Sequence, residues 1–258
     1  MDDLSAADIV SGLITRTVGS KVIYFPSLPS TMQAAREQVQ KGTIEGTVIV
    51  SSEQTSGRGR FTRQWLSPPG SISLSIILRP DFAWLPFIIM LSAVAVARAI
   101  ESVTGLKTQL KWPNDVLVRG KKVCGILTES SLKDSQIEYV VSGIGINVNM
   151  NLVDYPEISG IATSLSDELD SDISILELLH SLLKEMDELY GTLPDGETVF
   201  MEWRQRMAML GKKVQVISGQ DSYEGIAEDV EREGSLLLRL TNGLAQHVTA
   251  GDVSLRMA

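Results

Sequence analysis

The chain has 258 residues, of which 43% are hydrophobic and 21% charged, and its formal net charge is −9. Such a length and composition indicate a globular protein with one large and one small domain. The negative charge argues against broad binding to nucleic acid, and the single cysteine, Cys124, excludes an internal disulfide and suits a reducing cytoplasm.

The N-terminal part is predicted to alternate between strands and helices. KVIYF, residues 21–25, has the composition of a strand. A helix is predicted over residues 29–42, with Ser30 as its N-cap and Gly42 as its stop. GTVIVSS, residues 46–52, predicts a second strand that runs into a polar turn.

The next predicted elements are a strand and a long apolar helix. SISLSIILRP, residues 71–80, alternates and then becomes continuously apolar, which indicates a strand with one covered face. A helix is predicted from about residue 84 to residue 103. Pro86 and Arg98 interrupt its apolar stretch, and the uninterrupted part is shorter than the roughly 18 to 20 residues needed to cross a bilayer. We therefore interpret it as a buried core helix.

Three strand-like segments follow in the middle of the chain. TQLKWPNDVLV (108–118) is broken at Pro113, and RGKKVCGILTESS (119–131) starts at a tight turn near residues 119–121. IEYVVSGIGINVNM (137–150) is strongly apolar. With the helices, these strands predict a mixed α/β domain.

The pattern of the sequence changes in the C-terminal part, from helices to short strands. Two amphipathic helices are predicted over residues 174–193 and 196–210. From residue 212 onward, short alternating strands are split by the turn sequences SGQD, REG, TNG and GD. This spacing predicts a small antiparallel barrel. We place the domain boundary so that residues 1–210 form the first domain and residues 211–258 the second.

The segment GRGRFTRQW, residues 57–65, concentrates three arginines and two glycines in an acidic chain. Gly57 and Gly59 allow backbone N–H groups to converge on an anion. Arg58, Arg60 and Arg63 add forked donors that suit phosphate oxygens. The alternative is a solvated basic loop that only keeps the protein soluble.

Two further motifs bear on this choice. In KWPND, Lys111 precedes a bend at Pro113 and is either a surface charge or a fixed cation that faces a site. In SGIGIN, Gly143 and Gly145 indicate either close approach of a ligand or packing of a helix against the strand.

Together these motifs resemble the biotin protein ligases. EQTSGRGRFTRQWLSP is similar to the glycine-arginine loop of that family, KWPNDV followed by KKVCGILTE to its lysine-bearing segment, and GIGINVN to its nucleotide-side strand. PSTM is similar to the serine-threonine pair before the first long helix. The resemblance covers the chain from about Val22 onward. It implies an α+β fold, in which a mixed-sheet catalytic domain like that of class II aminoacyl-tRNA synthetases precedes an SH3-like barrel.

The resemblance also implies an activity. Biotin and ATP would react to give biotinyl-adenylate, with Mg²⁺ entering on ATP, and the biotinyl group would pass to a lysine of a biotin carrier domain, typically that of acetyl-CoA carboxylase. We expect a cytoplasmic enzyme with no bound DNA and no membrane association, and a homodimer is possible in this family. His180 and His247 are far apart in the sequence without metal-ligand spacing, so no protein metal ligand is expected.

The resemblance assigns site residues as well. Lys111 and Arg60 are the candidate catalytic cations that bridge the biotin carboxylate and the α-phosphate, and Asp115 either orients Lys111 or accepts a proton from the acceptor lysine. Trp65 is either the hydrophobic anchor of the loop or a core residue. The substrate-binding residues implied by the family motifs are Ser30, Thr31, Met32, Gln54, Gly57, Arg58, Gly59, Arg60, Arg63, Trp65, Lys111, Gly125, Gly143, Gly145, Asn147 and Arg256.

The sequence departs from the family pattern in two places. Met32 stands where the family often has asparagine, and Phe61 and Thr62 stand where many members have a basic residue and a glycine. Larger members carry an N-terminal helix-turn-helix, and the twenty residues before the first predicted strand are too few for one. The alternatives are a lipoate or octanoate ligase of the same fold, a biotin-sensing DNA-binding regulator, and a ligand-binding module without catalysis.

Overall fold

The computed structural model describes residues 4–61, 63–134 and 136–255. Its larger sheet contains seven strands, which lie side by side in the order 1-2-3-7-6-5-4. The first two strands are parallel and all other neighbours are antiparallel. The sheet is therefore mixed, as the sequence predicts. The strands are β1 (Lys21–Phe25), β2 (Thr47–Ser51), β3 (Ser71–Leu78), β4 (Thr108–Lys111), β5 (Asp115–Val118), β6 (Lys121–Lys133) and β7 (Gln136–Asn147).

Helices cover both faces of this sheet. They are α1 (Ala6–Val10), α2 (Thr31–Gln40), α3 (Leu85–Thr104), α4 (Leu165–Leu169), α5 (Ile175–Tyr190) and α6 (Glu197–Gln205). On one face α2 packs against β2, β3 and β7, and on the other α3 packs against the sheet with α5 and α6 behind it. Because side chains alternate along a strand, each central strand contributes to both layers.

The long helix α3 is the centre of the main core. It has Pro86 in its first turn and ends at Gly105, which adopts the left-handed conformation at φ 70°. By length and composition alone the helical segment is apolar enough to cross a membrane, but 67% of its most apolar window is buried by protein. The interpretation as a core helix is confirmed.

Strand β3 differs from its prediction. All eight of its residues are buried, whereas the alternation of serine with apolar residues predicts only one covered face. Ile72, Leu74 and Ile76 pack in the main core. Ser73 and Ser75 face the opposite side, where they form hydrogen bonds with other polar side chains instead of water. Alternating serines predict an exposed face, but in this strand they line the wall of a polar interior.

The C-terminal part forms a five-stranded antiparallel sheet, the small barrel that the sequence predicts. Its strands are β8 (Lys213–Ser218), β9 (Asp221–Val230), β10 (Leu236–Leu240), β11 (Ala245–Val248) and β12 (Asp252–Leu255), in the spatial order β11-β10-β9-β8-β12. The apolar side chains of this sheet join the main core. Trp112 adds a polar link, because its indole N–H donates to the carbonyl of Gly234 at 2.8 Å. The proposed boundary after residue 210 falls between α6 and β8 and stays a prediction.

Candidate active site

A cavity opens where the arginine loop passes over the sheet and the start of α2. Most of the predicted site residues line it. The predicted residues at the cavity are Ser30, Thr31, Met32, Gln54, Arg58, Gly59, Arg60, Arg63, Trp65, Gly125, Gly143 and Gly145. The structure adds Gln64, Leu74, Asn114, Asp115, Lys122, Ile126, Leu127, Ile144 and Asp252 to this wall.

The floor of the cavity is a row of residues that pair across four neighbouring strands. Ser73 on β3 pairs with Gly145 on β7, Gly145 pairs with Gly125 on β6, and Gly125 pairs with Asp115 on β5. Directly paired residues point to the same face of a sheet. Because the two central positions are glycines, the row carries no side chain of its own between the Ser73 hydroxyl and the Asp115 carboxylate.

Trp65 lies on this glycine floor. A Cβ atom at Gly145 would come within 2.3 Å of the Trp65 ring, and one at Gly125 within 3.0 Å of it. The indole N–H is buried and has no hydrogen-bond partner among the described residues. A buried donor without a partner is costly, so the ring is placed to serve the cavity and not only the core.

At the charged end of the floor, Lys122 forms an ion pair with Asp115. Their Nζ and Oδ1 atoms are 2.6 Å apart, and the ammonium group also lies 5.4 Å from the centre of the Trp65 ring. The pairing of β5 with β6 shifts register between Val116 and Leu117, so that Leu117 pairs with Lys122. This irregularity brings the Lys122 ammonium to within 3.0 Å of where a Gly125 Cβ would be, although the two residues are an odd number apart.

Lys111 is not among the described residues that line the cavity, although it pairs with Asp115 at the charged end of the floor. Lys111 ends β4, the edge strand, and is separated from Gly125 by the whole of β5. The lysine that lines the cavity is Lys122, which sequence reasoning missed because strict alternation would place it on the opposite face from Gly125. The available signal was the pair of lysines just before the strand glycine in KKVCGI.

The arginine loop is held by the C-terminal sheet. The Arg60 guanidinium donates to the carbonyl of Gly251 at 2.9 Å, and both Arg60 and Arg63 form ion pairs with Asp252. A further contact of 3.4 Å reaches the side-chain oxygen of Asn114. Local sequence patterns cannot predict this arrangement, because the C-terminal partners lie at least 189 positions away in the chain.

Burial of the Arg60 side chain is the main cause of its altered pKa. Its pKa lies below the ordinary value, mainly because the guanidinium is partly removed from water, while the charges of Asp252 and Asp115 act in the opposite direction. An anion that approaches such a poorly hydrated cation is attracted more strongly than by an exposed one. Arg63, by contrast, has a mostly exposed side chain.

The polar end of the cavity combines the start of α2 with Gln54. The Thr31 backbone N–H donates to Gln54 Oε1 at 2.8 Å, and Gln54 Nε2 donates to Ser73 Oγ at 2.9 Å. Ser30 occupies the N-cap position of α2 as predicted, but its hydroxyl makes no capping hydrogen bond. That hydroxyl is buried and unpartnered among the described residues, which leaves it available to a ligand.

Met32 and Cys124 are two apolar neighbours of the floor. Met32 packs over Gly143, whose missing side chain makes room for the thioether, so this glycine accommodates a helix side chain as well as facing the cavity. Cys124 is fully buried, and this burial raises the pKa of its thiol, which argues against a nucleophilic role.

Three other predicted residues are not at the cavity, and one cannot be described. Gly57 lies at the start of the arginine loop and contacts its end. The backbone N–H of Trp65 donates to the Gly57 carbonyl at 2.9 Å. Asn147 is buried, and its amide donates to the Thr163 carbonyl at 3.0 Å. Lys111 lies on the edge strand, as described above. Arg256 lies outside the described residues.

Comparison with known proteins matches both parts of the chain. Residues 24–147 match the family model described as the biotin/lipoate A/B protein ligase family, and residues 209–256 match the biotin protein ligase C-terminal domain. The chain is 36% identical to the bifunctional ligase/repressor BirA of Bacillus subtilis, with 98% of this chain and 79% of that protein covered.

Two further similarities point the same way. The biotin–[acetyl-CoA-carboxylase] ligase of Mycobacterium tuberculosis is 32% identical, with 81% of this chain and 79% of that protein covered. The biotin protein ligase from Aquifex aeolicus in complex with biotin and ATP has a TM-score of 0.76 at 29% identity, with 93% of this chain and 100% of that chain covered. The chain therefore belongs to the biotin protein ligase family.

Proposed function

We propose that this protein activates biotin with ATP as biotinyl-adenylate and transfers the biotinyl group to a lysine of a biotin carrier domain. Relatives named biotin–[acetyl-CoA-carboxylase] ligase support the carrier domain of acetyl-CoA carboxylase as the acceptor. Biotin and ATP are the substrates, and Mg²⁺ enters with the phosphates of ATP.

The observation that carries this proposal is the row of paired residues from Ser73 through Gly145 and Gly125 to Asp115. Three strand spacings of about 4.8 Å give it a length of about 14 Å. The polar group of Gln54 and Ser73 lies at one end, and the Lys122–Asp115 pair lies at the other. A ligand with a hydrogen-bonding head, an apolar chain and a terminal carboxylate, such as biotin, fits this arrangement.

In the first step a biotin carboxylate oxygen attacks the α-phosphorus of ATP, and pyrophosphate leaves. Two anions must approach each other, so fixed cations between them lower the barrier. We assign this role to Lys122 and Arg60, both at the charged end of the floor. Asp115 holds the Lys122 ammonium in place by the 2.6 Å ion pair.

The mixed anhydride formed in that step must be shielded from water. The loop that carries Arg58, Arg60 and Arg63 borders the cavity, and a glycine-rich loop can close over a bound adenylate. Trp65 covers the floor where the acyl chain would run. In the second step the acceptor lysine amine attacks the acyl carbon and AMP leaves, and we assign the uptake of the amine proton to Asp115, a carboxylate of the cavity wall.

Several finer assignments remain part of the proposal. Gly57, Asn147 and Arg256 keep a supporting role in nucleotide binding by resemblance to the family motifs. The cytoplasmic location rests on the single buried cysteine. A homodimer and the absence of DNA binding are open to direct measurement, since relatives named bifunctional ligase/repressor combine two activities.

Transfer to a carrier domain tests the function. The purified protein is incubated with ATP, Mg²⁺ and an apo biotin carrier domain, together with biotin, lipoate or octanoate in separate reactions. We expect a mass gain of one biotinyl group on the carrier only with biotin, and none when the carrier lysine is replaced by arginine. Acylation by lipoate or octanoate in place of biotin would contradict the proposed substrate.

The glycine floor gives a further prediction. We expect Gly145→Ala to weaken biotin binding by at least about tenfold, because the added methyl group would overlap the Trp65 ring and displace it from the cavity floor. Gly160→Ala is the matched control, since no atom lies within 4 Å of the position its methyl group would take. Isothermal titration calorimetry of both variants measures the effect. Equal biotin affinity in wild type and Gly145→Ala would contradict the path assigned to the acyl chain.

A further inference from the structure

Four buried serines lie behind the polar end of the cavity. Ser71, Ser73 and Ser75 alternate along β3, and Ser67 precedes that strand; each is at most 4% exposed. Buried hydroxyl groups need hydrogen-bond partners. These serines find them in one another, in Gln54 and in Thr31, so they form a continuous chain of polar side chains.

The direction of each hydrogen bond is fixed from one end of this chain. Ser71 Oγ lies 2.6 Å from the Pro68 carbonyl oxygen, which can only accept, so the Ser71 hydroxyl donates there. Ser67, 3.1 Å from Ser71, must then donate to it, and Ser73, 2.7 Å from Ser67, must donate to Ser67. Ser73 Oγ is therefore left as an acceptor towards Gln54.

The hydrogen bonds of Gln54 follow the same donor-to-acceptor direction as those of the serines. The Thr31 backbone N–H can only donate, and its 2.8 Å contact identifies the Gln54 side-chain oxygen. The Gln54 amide nitrogen consequently faces Ser73 and donates to it at 2.9 Å. The Thr31 hydroxyl also donates to the Gln54 oxygen, at 3.1 Å, and it accepts from Ser75 at 2.8 Å.

Because every hydroxyl proton of the serines and Thr31 in this chain is committed, the cavity presents a defined pattern to its ligand. Thr31 offers only a lone pair, so it accepts. Gln54 retains one amide hydrogen, so it donates. The Ser30 hydroxyl has no partner among the described residues and can do either. A ureido group, which has two N–H donors and one carbonyl acceptor, matches such a mixed pattern.

We propose that Ser67, Ser73 and Ser75 are positioning residues that fix the hydrogen-bond polarity of the biotin head pocket and thereby its selectivity for a ureido group. The inference rests on the proposed function, because it takes the ligand to be biotin. None of the three serines need touch the ligand. They act through Gln54 and Thr31, because Ser73 accepts from the Gln54 amide nitrogen and Ser75 donates to the Thr31 hydroxyl.

The test is direct binding by calorimetry without ATP. The ligands are biotin and 2-iminobiotin, in which an N–H donor replaces the ureido oxygen. For Ser73→Ala we expect biotin affinity to fall about tenfold and the preference for biotin over 2-iminobiotin to shrink, because the Gln54 amide nitrogen loses its acceptor and the side chain is then held only through its oxygen, by Thr31. Ser67→Ala, one step further from Gln54, should show the same two changes to a smaller extent and serves if Ser73→Ala does not fold.

Ser92→Ala is the matched control. The substitution removes an equally buried hydrogen bond, between the hydroxyls of Ser92 and Ser142 at 2.8 Å. This pair lies between α3 and β7 and is not part of the serine chain. The substitution should leave affinity and preference unchanged. Unchanged binding in folded Ser73→Ala and Ser67→Ala, or an equal loss in Ser92→Ala, would overturn the positioning role. Failure of the wild type to bind biotin would instead overturn the proposed function, and this inference with it.

Discussion

Lys122→Ala is expected to lower the rate of biotin adenylation by about 10² to 10³. The physical reason is that the Lys122 ammonium group lies at the end of the glycine floor, next to Asp115, where the carboxylate and the α-phosphate would meet. Its removal leaves two anions to approach with one fixed cation fewer. The change should appear in the rate of adenylate formation measured in a single turnover with saturating ATP.

Lys111→Ala is the matched control for this experiment. Both lysines belong to the same antiparallel segment, but Lys111 lies on the edge strand β4 and does not reach the described cavity wall. We expect Lys111→Ala to retain adenylation within about threefold of the wild type, because Lys111 is not among the residues that line the cavity. A severe loss in Lys111→Ala with normal activity in Lys122→Ala would show that the site cation is the one predicted from the sequence.

Arg60→Ala is the second change with a large expected effect. We expect it to slow adenylation by about 10², because Arg60 is the loop cation that is most withdrawn from water and most firmly held. The substitution removes two interactions. It removes the positive charge at the α-phosphate, and it removes the hydrogen bond to Gly251 that holds the loop on the C-terminal sheet. Pyrophosphate exchange at several ATP concentrations measures the change.

Arg63→Ala is the control that distinguishes the total positive charge of the loop from the specific position of Arg60. Arg63 shares the Asp252 carboxylate with Arg60, but its side chain is 65% exposed, against 17% for Arg60. Exposed ion pairs contribute little, so we expect less than about a fivefold change. Thermal melting of both variants checks that the fold persists. Equal losses in Arg60→Ala and Arg63→Ala would contradict a special position for Arg60.

Most of the fold follows from local patterns in the sequence. The apolar run that becomes α3, the helical periodicity of α5 and the short strands after residue 212 each specify an element without reference to distant residues. Strand β3 is an element whose burial cannot be predicted from local sequence patterns. Its serines resemble a solvent-facing edge in the sequence, and only the three-dimensional structure shows that Gln54 and Thr31 supply their partners.

The site is harder to predict because its key contacts depend on register and on distant segments. The glycines and the arginine loop are visible as motifs, and most of them line the cavity. Lys122 is not visible as a site residue, since its direction depends on a register shift opposite Val116 and Leu117. Asp252 and Gly251 are equally hidden, because they reach the loop from the C-terminal sheet.

The most direct test is biotin-dependent exchange of labelled pyrophosphate into ATP by the wild-type protein, with lipoate and octanoate in parallel reactions. Exchange reports the reversible formation of an acyl-adenylate and needs no acceptor protein. We predict exchange with biotin, none with the other two acids, and a strong reduction in Lys122→Ala but not in Lys111→Ala. Exchange that requires lipoate or octanoate, or no exchange with any of the three acids, would contradict the assignment of this site to the activation of biotin.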